Sequence, residues 1–238
     1  MAIREVLHDN SNYKISYEII NPQAKQDMIF LHGWGSNKEI MKSSFKGVFQ
    51  DFRHIYIDMP GFGNSSINKP ICTQDYANII DIFLKDLHVE KNFIFGHSFG
   101  GKVATLLNPK ILVLLSSAGI VVEKKLSVKM KIKVFKLFKN ILPKGMFRFF
   151  ASKDVSGMSQ VMYEVFKKVV DEDFTDKFAS RKNKTFIFWG KNDSATPLES
   201  GKNIHTLIKN SSFNFYDGDH FFFTKYAKDI EKEVIVGI

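Results

Sequence analysis

The stretch FIFGHSFGGKV, residues 93–103, sets one serine among three glycines between two apolar segments. Residues 92–98 predict a buried strand, and GGKVATLL (100–107) predicts a short helix that ends before Asn108-Pro109. The pattern G-x-S-x-G at such a junction places the serine on an abrupt turn, with its hydroxyl at the end of the sheet. The helix that follows points its N-terminus at Ser98, where developing negative charge is favoured. A glycine-rich turn is the plainer interpretation, but this context predicts that Ser98 is a nucleophile.

A serine nucleophile requires a base, and His220 is the histidine best placed to supply it. His220 follows the last predicted strand, SFNFYDG (212–218), so it should lie at the same edge of the sheet as Ser98. Asp193 follows the strand TFIFWG (185–190) and should orient that imidazole. Asp217 is a weaker alternative for the acid. The sequence therefore predicts a Ser98, Asp193, His220 triad in that chain order.

An oxyanion would be held by two backbone amides. One should belong to Phe99, directly after the nucleophile, and the other to Trp34 in HGWG (32–35), after the strand at 27–33. Taken alone, HGWG is simply a turn. With the serine turn beside it, we expect it to form half of an oxyanion hole, with His32 organising the loop.

Strands and helices alternate along most of the chain. Strands are predicted at 13–20, 27–33, 54–61, 92–98, 111–119, 185–190 and 212–218, and helices at 75–87, 100–107, 198–208 and 222–234. This rhythm predicts an α/β fold with a mostly parallel, doubly wound sheet. Residues 120–183 carry no convincing strand, so we expect a core domain of 1–119 and 184–238 and a helical cap of 120–183.

The predicted cap carries an apolar stripe that would roof the pocket. Its members include Met130, Val134 and Phe138 in LSVKMKIKVFKLFKNIL (126–142), and GMFRFF (145–150) adds Phe147. Together with Trp34 and Phe99 these side chains form the predicted substrate pocket. An apolar acyl or aromatic substrate is the resulting hypothesis.

The formal net charge of +9 is concentrated in the cap. Residues 120–150 hold nine Lys or Arg against one acid, Glu123. Three interpretations stay open: a solvated surface, a docking face for an acidic carrier protein or another anionic group, and contact with an anionic membrane surface. Nucleic-acid binding is not expected, because no recognition motif accompanies the charge.

Other bulk properties narrow the class of protein. Cys72 is the single cysteine, so no intramolecular disulfide is possible. The first residues lack an apolar signal segment, and no apolar run reaches the roughly 18 residues that a membrane span needs. We expect a cytoplasmic protein without a metal, since no cluster has ligand spacing, and without a cofactor. The oligomeric state is left open.

In these motifs the chain resembles the α/β-hydrolases along nearly its whole length. The motifs HGWG (32–35), DMPGFGNS (58–65), GHSFGG (96–101), GKNDSATP (190–197) and GDH (218–220) all occur in family order. The loop DMPGFGNS resembles a family loop that is mainly structural, so Ser65 and Ser66 are not expected to be nucleophiles.

Within the superfamily, HGWGSN and DMPGFGNS look most like the pimeloyl-acyl-carrier-protein methyl ester carboxylesterases. The resemblance implies a carboxylesterase that forms an acyl-enzyme, with a substrate that a carrier protein could present. One alternative is a carbon–carbon bond hydrolase of a 2-hydroxy-6-oxo-dienoate ring-fission product, although such relatives often have Asn where this chain has His97. A further alternative is a non-catalytic binding protein. Relatives with an aspartate nucleophile, such as haloalkane dehalogenases and epoxide hydrolases, do not match Ser98.

Overall fold

A single sheet of eight strands runs through the part of the chain that the computed structural model describes, residues 1–121 and 158–238. Its strands are β1 (Ala2–His8), β2 (Ser11–Ile20), β3 (Asp27–Leu31), β4 (Arg53–Ile57), β5 (Phe93–His97), β6 (Ile111–Leu115), β7 (Thr185–Gly190) and β8 (Ser211–Tyr216). The helices of these residues are α1 (Lys38–Phe45), α2 (Thr73–Asp86), α3 (Phe99–Leu107), α4 (Gln160–Val169), α5 (Thr175–Ala179), α6 (Leu198–Leu207) and α7 (Phe223–Val236).

The strand order is β1-β2-β4-β3-β5-β6-β7-β8. Strands β3 to β8 are mutually parallel, whereas β2 pairs antiparallel with both β1 and β4. From β3 the chain crosses to β4 on one side, and from β5 it proceeds through β6 to β8 on the other. The carboxyl ends of β3 and β5 therefore flank a topological switch point, where ligands bind in open α/β sheets. This arrangement confirms the predicted α/β-hydrolase fold.

The central strands are apolar because helices cover both faces of the sheet. Every residue of β3, β5 and β7 is buried, as expected for parallel strands with no solvent-facing side. Helices α2, α3 and α6 cover one face, and α1 and α7 cover the other. The second face is rich in phenylalanine: the Phe30 ring stacks on Phe45 at 5.3 Å and lies tilted against Phe95 at 4.8 Å.

The sequence did not predict β1 or α1. In β1 only Val6 is buried, so the strand has no apolar alternation to reveal it. In α1 one of the three buried positions is Lys38, whose ammonium lies 2.7 Å from Asp58 Oδ2. Helix α2 begins at Thr73, two residues before the predicted start at 75, and Cys72 is its N-cap residue.

The described part of the predicted cap, residues 120–121 and 158–183, is helical or irregular. Helix α4 packs Met162, Val165 and Val169 into the core that faces α2 and α3. Just beyond α4, Glu172 accepts a hydrogen bond from the buried Lys102 of α3 at 3.1 Å. The Lys102 ammonium also donates to the Val169 carbonyl, and the Thr73 hydroxyl donates to Glu172. These contacts connect the end of α4 and the residues after it to α3, the helix that follows Ser98.

The predicted pocket residues of the cap and its basic segment are not covered by the structure. Met130, Val134, Phe138 and Phe147, and nearly all of the basic segment 120–150, lie outside the described residues. None of the described helices is long and apolar enough to cross a bilayer.

Candidate active site

Ser98 occupies a strained turn between β5 and α3. Its backbone has φ 50° and ψ −115°, a region that costs a residue with a side chain about 1–3 kcal/mol. Three hydrogen bonds hold the turn: Ser98 N donates to Leu115 O at 3.1 Å, while Gly101 N and Ala118 N each donate to Ser98 O at 3.0 Å. The surrounding backbone therefore fixes the serine in a conformation that it would not adopt alone.

Two glycines make this turn possible by allowing close backbone contact. A Cβ on Gly96 would lie 2.5 Å from Gly100 O and 2.6 Å from Gly101 Cα. A Cβ on Gly100 would lie 2.5 Å from His32 O, against the end of β3. The glycines of G-x-S-x-G thus bring α3 against β5 and β3, and that packing holds Ser98 at the switch point.

Asp193 and His220 meet at the same edge of the sheet, after β7 and β8. His220 Nδ1–H donates to Asp193 Oδ2 at 2.7 Å, and the Asp193 carboxylate is buried. Its other oxygen, Oδ1, accepts from Ala195 N at 2.8 Å and from Thr196 N at 2.9 Å. Burial alone would raise the pKa of Asp193, but the hydrogen bonds from His220 and Thr196 outweigh it and hold that pKa below its usual value. The carboxylate is therefore ionised and oriented toward the imidazole.

The acid and histidine loops are in direct backbone contact. A Cβ on Gly190, the last residue of β7, would lie 2.0 Å from Asp219 O. Asp217, the alternative acid, is instead exposed and lies 3.5 Å from Lys191. Among the described residues no hydrogen bond joins Ser98 Oγ to His220, so the structure couples His220 to Asp193 directly and brings Ser98 to the same end of the sheet.

The HGWG loop lies against Ser98. A Cβ on Gly33 would fall 3.1 Å from Ser98 Cβ. The Trp34 and Phe99 rings pack edge to face with centroids 5.5 Å apart. Within residues 1–121 and 158–238, neither the Trp34 amide nor the Phe99 amide has a hydrogen-bond acceptor, which leaves both N–H groups available beside Ser98.

His32 holds that loop in place, as its position after β3 suggested. The ring is fully buried; its Nδ1–H donates to Gly33 O at 2.8 Å, and its Nε2 accepts from Met59 N at 3.1 Å. Burial lowers the pKa of His32 to about 4. His32 is therefore a neutral bridge between the HGWG and DMPGFG loops.

The DMPGFGNS loop is structural in the geometry as well. Asp58 is buried and accepts from Lys38 N and Nζ, each at 2.7 Å, and from Asn64 N at 3.0 Å. Ser65 donates to Asp58 O at 2.7 Å and accepts from Ser16 N at 2.8 Å. Its hydroxyl is thus committed to holding the loop.

Two side chains at the site were not predicted from the sequence. The Thr196 hydroxyl lies 2.9 Å from Asp193 Oδ2, 3.0 Å from Ser116 O and 3.3 Å from His220 Nδ1. His97 was not among the predicted site residues, yet its Nε2 lies 3.0 Å from His220 O. The threonine had a signal in its position three residues after Asp193, whereas the His97 contact spans 123 residues of sequence.

Two surfaces adjoin these groups. An aromatic wall surrounds Trp34, whose ring lies 5.0 Å from Phe62 and 5.3 Å from Phe166 of α4. On the other side a cleft of about 320 Å³ is lined by residues 117–121, 170–172 and 194–197 and by Ser200. Thr196, whose hydroxyl lies 2.9 Å from Asp193 Oδ2, is part of this lining.

Comparison with known proteins finds similarity to α/β-hydrolases. The family model described as alpha/beta hydrolase fold matches residues 28–110, which include HGWG and Ser98. The chain is 37% identical over 79 residues to a pimeloyl-[acyl-carrier protein] methyl ester esterase of Vibrio campbellii. That match covers 33% of this chain and only 30% of the length of the relative.

Solved structures match over almost the whole chain. An esterase from Exiguobacterium antarcticum superimposes with a TM-score of 0.76 at 21% identity, covering 98% of this chain and 97% of that one. A meta-cleavage product hydrolase from Pseudomonas fluorescens gives 0.72 at 17% identity, covering 98% and 96%. At these identities the likeness is one of fold.

Proposed function

We propose that this chain, which belongs to the α/β-hydrolase superfamily, is a serine carboxylesterase whose triad is Ser98, Asp193 and His220. The observation that carries the proposal is the 2.7 Å bond between His220 Nδ1 and the buried Asp193, at the edge of the sheet where Ser98 is held on its strained turn. This combination supplies a nucleophile, a base and the group that orients the base.

The reaction would proceed through an acyl-enzyme. As Ser98 Oγ attacks the ester carbonyl, His220 Nε2 takes the hydroxyl proton, and the ionised Asp193 stabilises the resulting imidazolium. The amides of Trp34 and Phe99 would hold the oxyanion. His220 then returns the proton to the leaving alcohol, and water releases the acid by the same sequence of steps.

The aromatic wall supports an apolar acyl group as substrate. The Trp34 ring packs against Phe62, Phe99 and Phe166, so aromatic rings adjoin the HGWG loop beside Ser98. A panel of p-nitrophenyl esters of increasing chain length tests this point. We expect kcat/KM to rise from acetate to medium-chain esters; a steady fall with length would contradict an apolar pocket.

The triad is tested with a fluorophosphonate probe that acylates activated serines. We expect stoichiometric labelling of the wild type, and neither labelling nor ester turnover by Ser98→Ala, which should stay folded. Ser65→Ala is a matched control, because that hydroxyl belongs to the structural loop. Wild-type turnover by Ser98→Ala would refute the assignment.

We also propose that an acidic carrier protein presents the ester substrate to the enzyme. This proposal is supported by the charge of segment 120–150 and by the partial similarity to a pimeloyl-[acyl-carrier protein] methyl ester esterase. Comparing kcat/KM for a carrier-bound and a free ester over a salt series tests it. We expect only the carrier-bound rate to fall with salt; equal rates at every ionic strength would remove the idea.

Carbon–carbon bond hydrolysis is the competing activity, supported by the shared fold of the meta-cleavage product hydrolase. Loss of the dienol chromophore of a 2-hydroxy-6-oxo-dienoate distinguishes it from p-nitrophenyl ester turnover. Absence of both reactions, together with no labelling of Ser98, would favour a non-catalytic binding protein.

A further inference from the structure

His97 lies where the three parts of the proposed site meet. Its backbone precedes Ser98, its ring is 1% exposed, and its Nε2 lies 3.0 Å from the backbone oxygen of His220. The two imidazole rings are 4.6 Å apart at 50°. On the opposite side, a Cβ on Gly33 would lie 2.8 Å from His97 Nδ1, so the ring also borders the HGWG loop.

The contacts of His97 determine where its proton sits. The His220 carbonyl can only accept, so Nε2 carries the hydrogen and donates it. The other nitrogen, Nδ1, is buried without a hydrogen-bond partner. Burial, followed by the proximity of His220, lowers the pKa of His97 well below its usual value; Asp193 and His32 also act on the ring, in opposite directions and more weakly. His97 is therefore a neutral donor with one fixed tautomer.

Two aromatic rings pack against the His97 ring. Phe221 and Phe223 lie 5.2 Å and 4.8 Å from the His97 ring, one on each side of Phe222 in the chain. These residues connect His220 to α7, so the His97 ring is wedged into the segment that carries the base. A donor so confined can fix the height of the His220 backbone above the sheet.

We propose that His97 is a positioning residue for the triad: its Nε2–H holds the His220 carbonyl, and through it sets the His220 ring relative to Ser98. This inference rests on the proposed esterase function. Because His97 precedes the nucleophile, one residue places both reacting groups, Ser98 through the backbone and His220 through the side chain. Errors of about 1 Å in such placements cost on the order of 10²-fold in rate.

Three substitutions separate the hydrogen bond from the packing. His97→Phe keeps a ring and removes the donor. His97→Gln keeps an N–H at the ε position, whereas His97→Asn moves the N–H to the δ position, where it cannot reach the carbonyl. We expect Phe and Asn to lower both kcat and the rate of Ser98 phosphonylation by about 10- to 100-fold, with KM changed less than about twofold, and Gln to recover most of the loss.

The pH profile provides a readout that a purely structural role would not move. If the His220 loop shifts, its imidazole loses part of its bond to Asp193, so the imidazolium is less stabilised. The acid limb of kcat/KM should then move to lower pH in His97→Phe and His97→Asn and return in His97→Gln. Rates are referred to the folded fraction, measured by circular dichroism.

The outcomes are distinct. Equal losses in Gln and Asn, or wild-type kcat with an unmoved acid limb in Phe or Asn, would overturn the positioning role. If Phe fails to fold, the Gln and Asn pair still decides. Labelling of Ser98→Ala, or none of the wild type, would instead refute the esterase proposal itself.

Discussion

Mild acidification should destabilise the folded protein through His32, which stays neutral in the core while the unfolded chain takes up the proton. The His32 ring accepts from Met59 N through Nε2, so a proton there would face another N–H inside the core. Its pKa falls from 6.5 to about 4 on folding. Between these values the unfolded chain binds the proton and the folded chain does not. This stability is fully present above 6.5 and is lost as pH falls toward 4.

The magnitude follows from the two pKa values. At about pH 5 the unfolded histidine is almost fully protonated and the folded one almost neutral, which costs about 1.36 kcal/mol for each unit below 6.5, or about 2 kcal/mol. Urea unfolding at about pH 7.5 and about pH 5 measures this change. His54 and His97 also have lowered pKa values, so the wild-type loss will exceed the His32 share.

One variant isolates the contribution of His32 to the loss of stability at low pH. His32→Gln retains an acceptor for Met59 N but cannot titrate, so it should be less stable at neutral pH and lose about 2 kcal/mol less than the wild type on acidification. His205→Gln makes the same replacement at an exposed position and is the matched control. If wild type and His32→Gln lose the same free energy of unfolding on acidification, the assignment of His32 as a neutral residue in the folded protein is wrong.

Three further predictions concern individual side chains. Thr196→Val should lower kcat for ester hydrolysis about tenfold, the equivalent of one hydrogen bond to the Asp193 carboxylate, whereas Thr196→Ser should stay near wild type; equal rates in the two variants would contradict this role. Ser98→Gly should be more stable to urea than Ser98→Ala by about 1 kcal/mol, because glycine relieves the positive φ; equal midpoints would argue against strain at the turn. Lys102→Met should lower the free energy of unfolding by about 3 kcal/mol, since Glu172 and the Val169 carbonyl lose their buried partner; an unchanged urea midpoint would contradict that.

Elements that sit inside the sheet could be predicted from the sequence, and those at its periphery could not. Strand β7 was predicted with its observed bounds of 185–190, because six consecutive buried residues leave a continuous apolar run. Strand β1 buries only Val6 and depends on β2 for its pairing. Helix α1 buries Lys38, and that lysine is compatible with the core only through Asp58, 20 residues away.

The candidate site also has a part that could be predicted from the sequence and a part that could not. The turn at Ser98 could be predicted because it depends on local glycines, and the meeting of Asp193 and His220 because parallel strands bring their ends to one edge. Thr196 and His97 contact the Asp193 and His220 loops. Such contacts depend on how far apart the loops lie in the folded chain, and residue types alone do not predict that distance. The contact between His97 and the His220 carbonyl spans 123 residues of sequence, so no local pattern reveals it.

The positions of the two tryptophans make the protein its own optical probe. Trp34 is half-buried beside Ser98 among the rings of Phe62, Phe99 and Phe166, so a ligand entering there would change its emission. Trp189 is fully buried, and its indole N–H donates to the Thr196 carbonyl at 2.8 Å, so it reports on the acid loop. Trp34→Phe and Trp189→Phe would therefore give separate fluorescence signals from the acid loop and from the HGWG loop, without an added label.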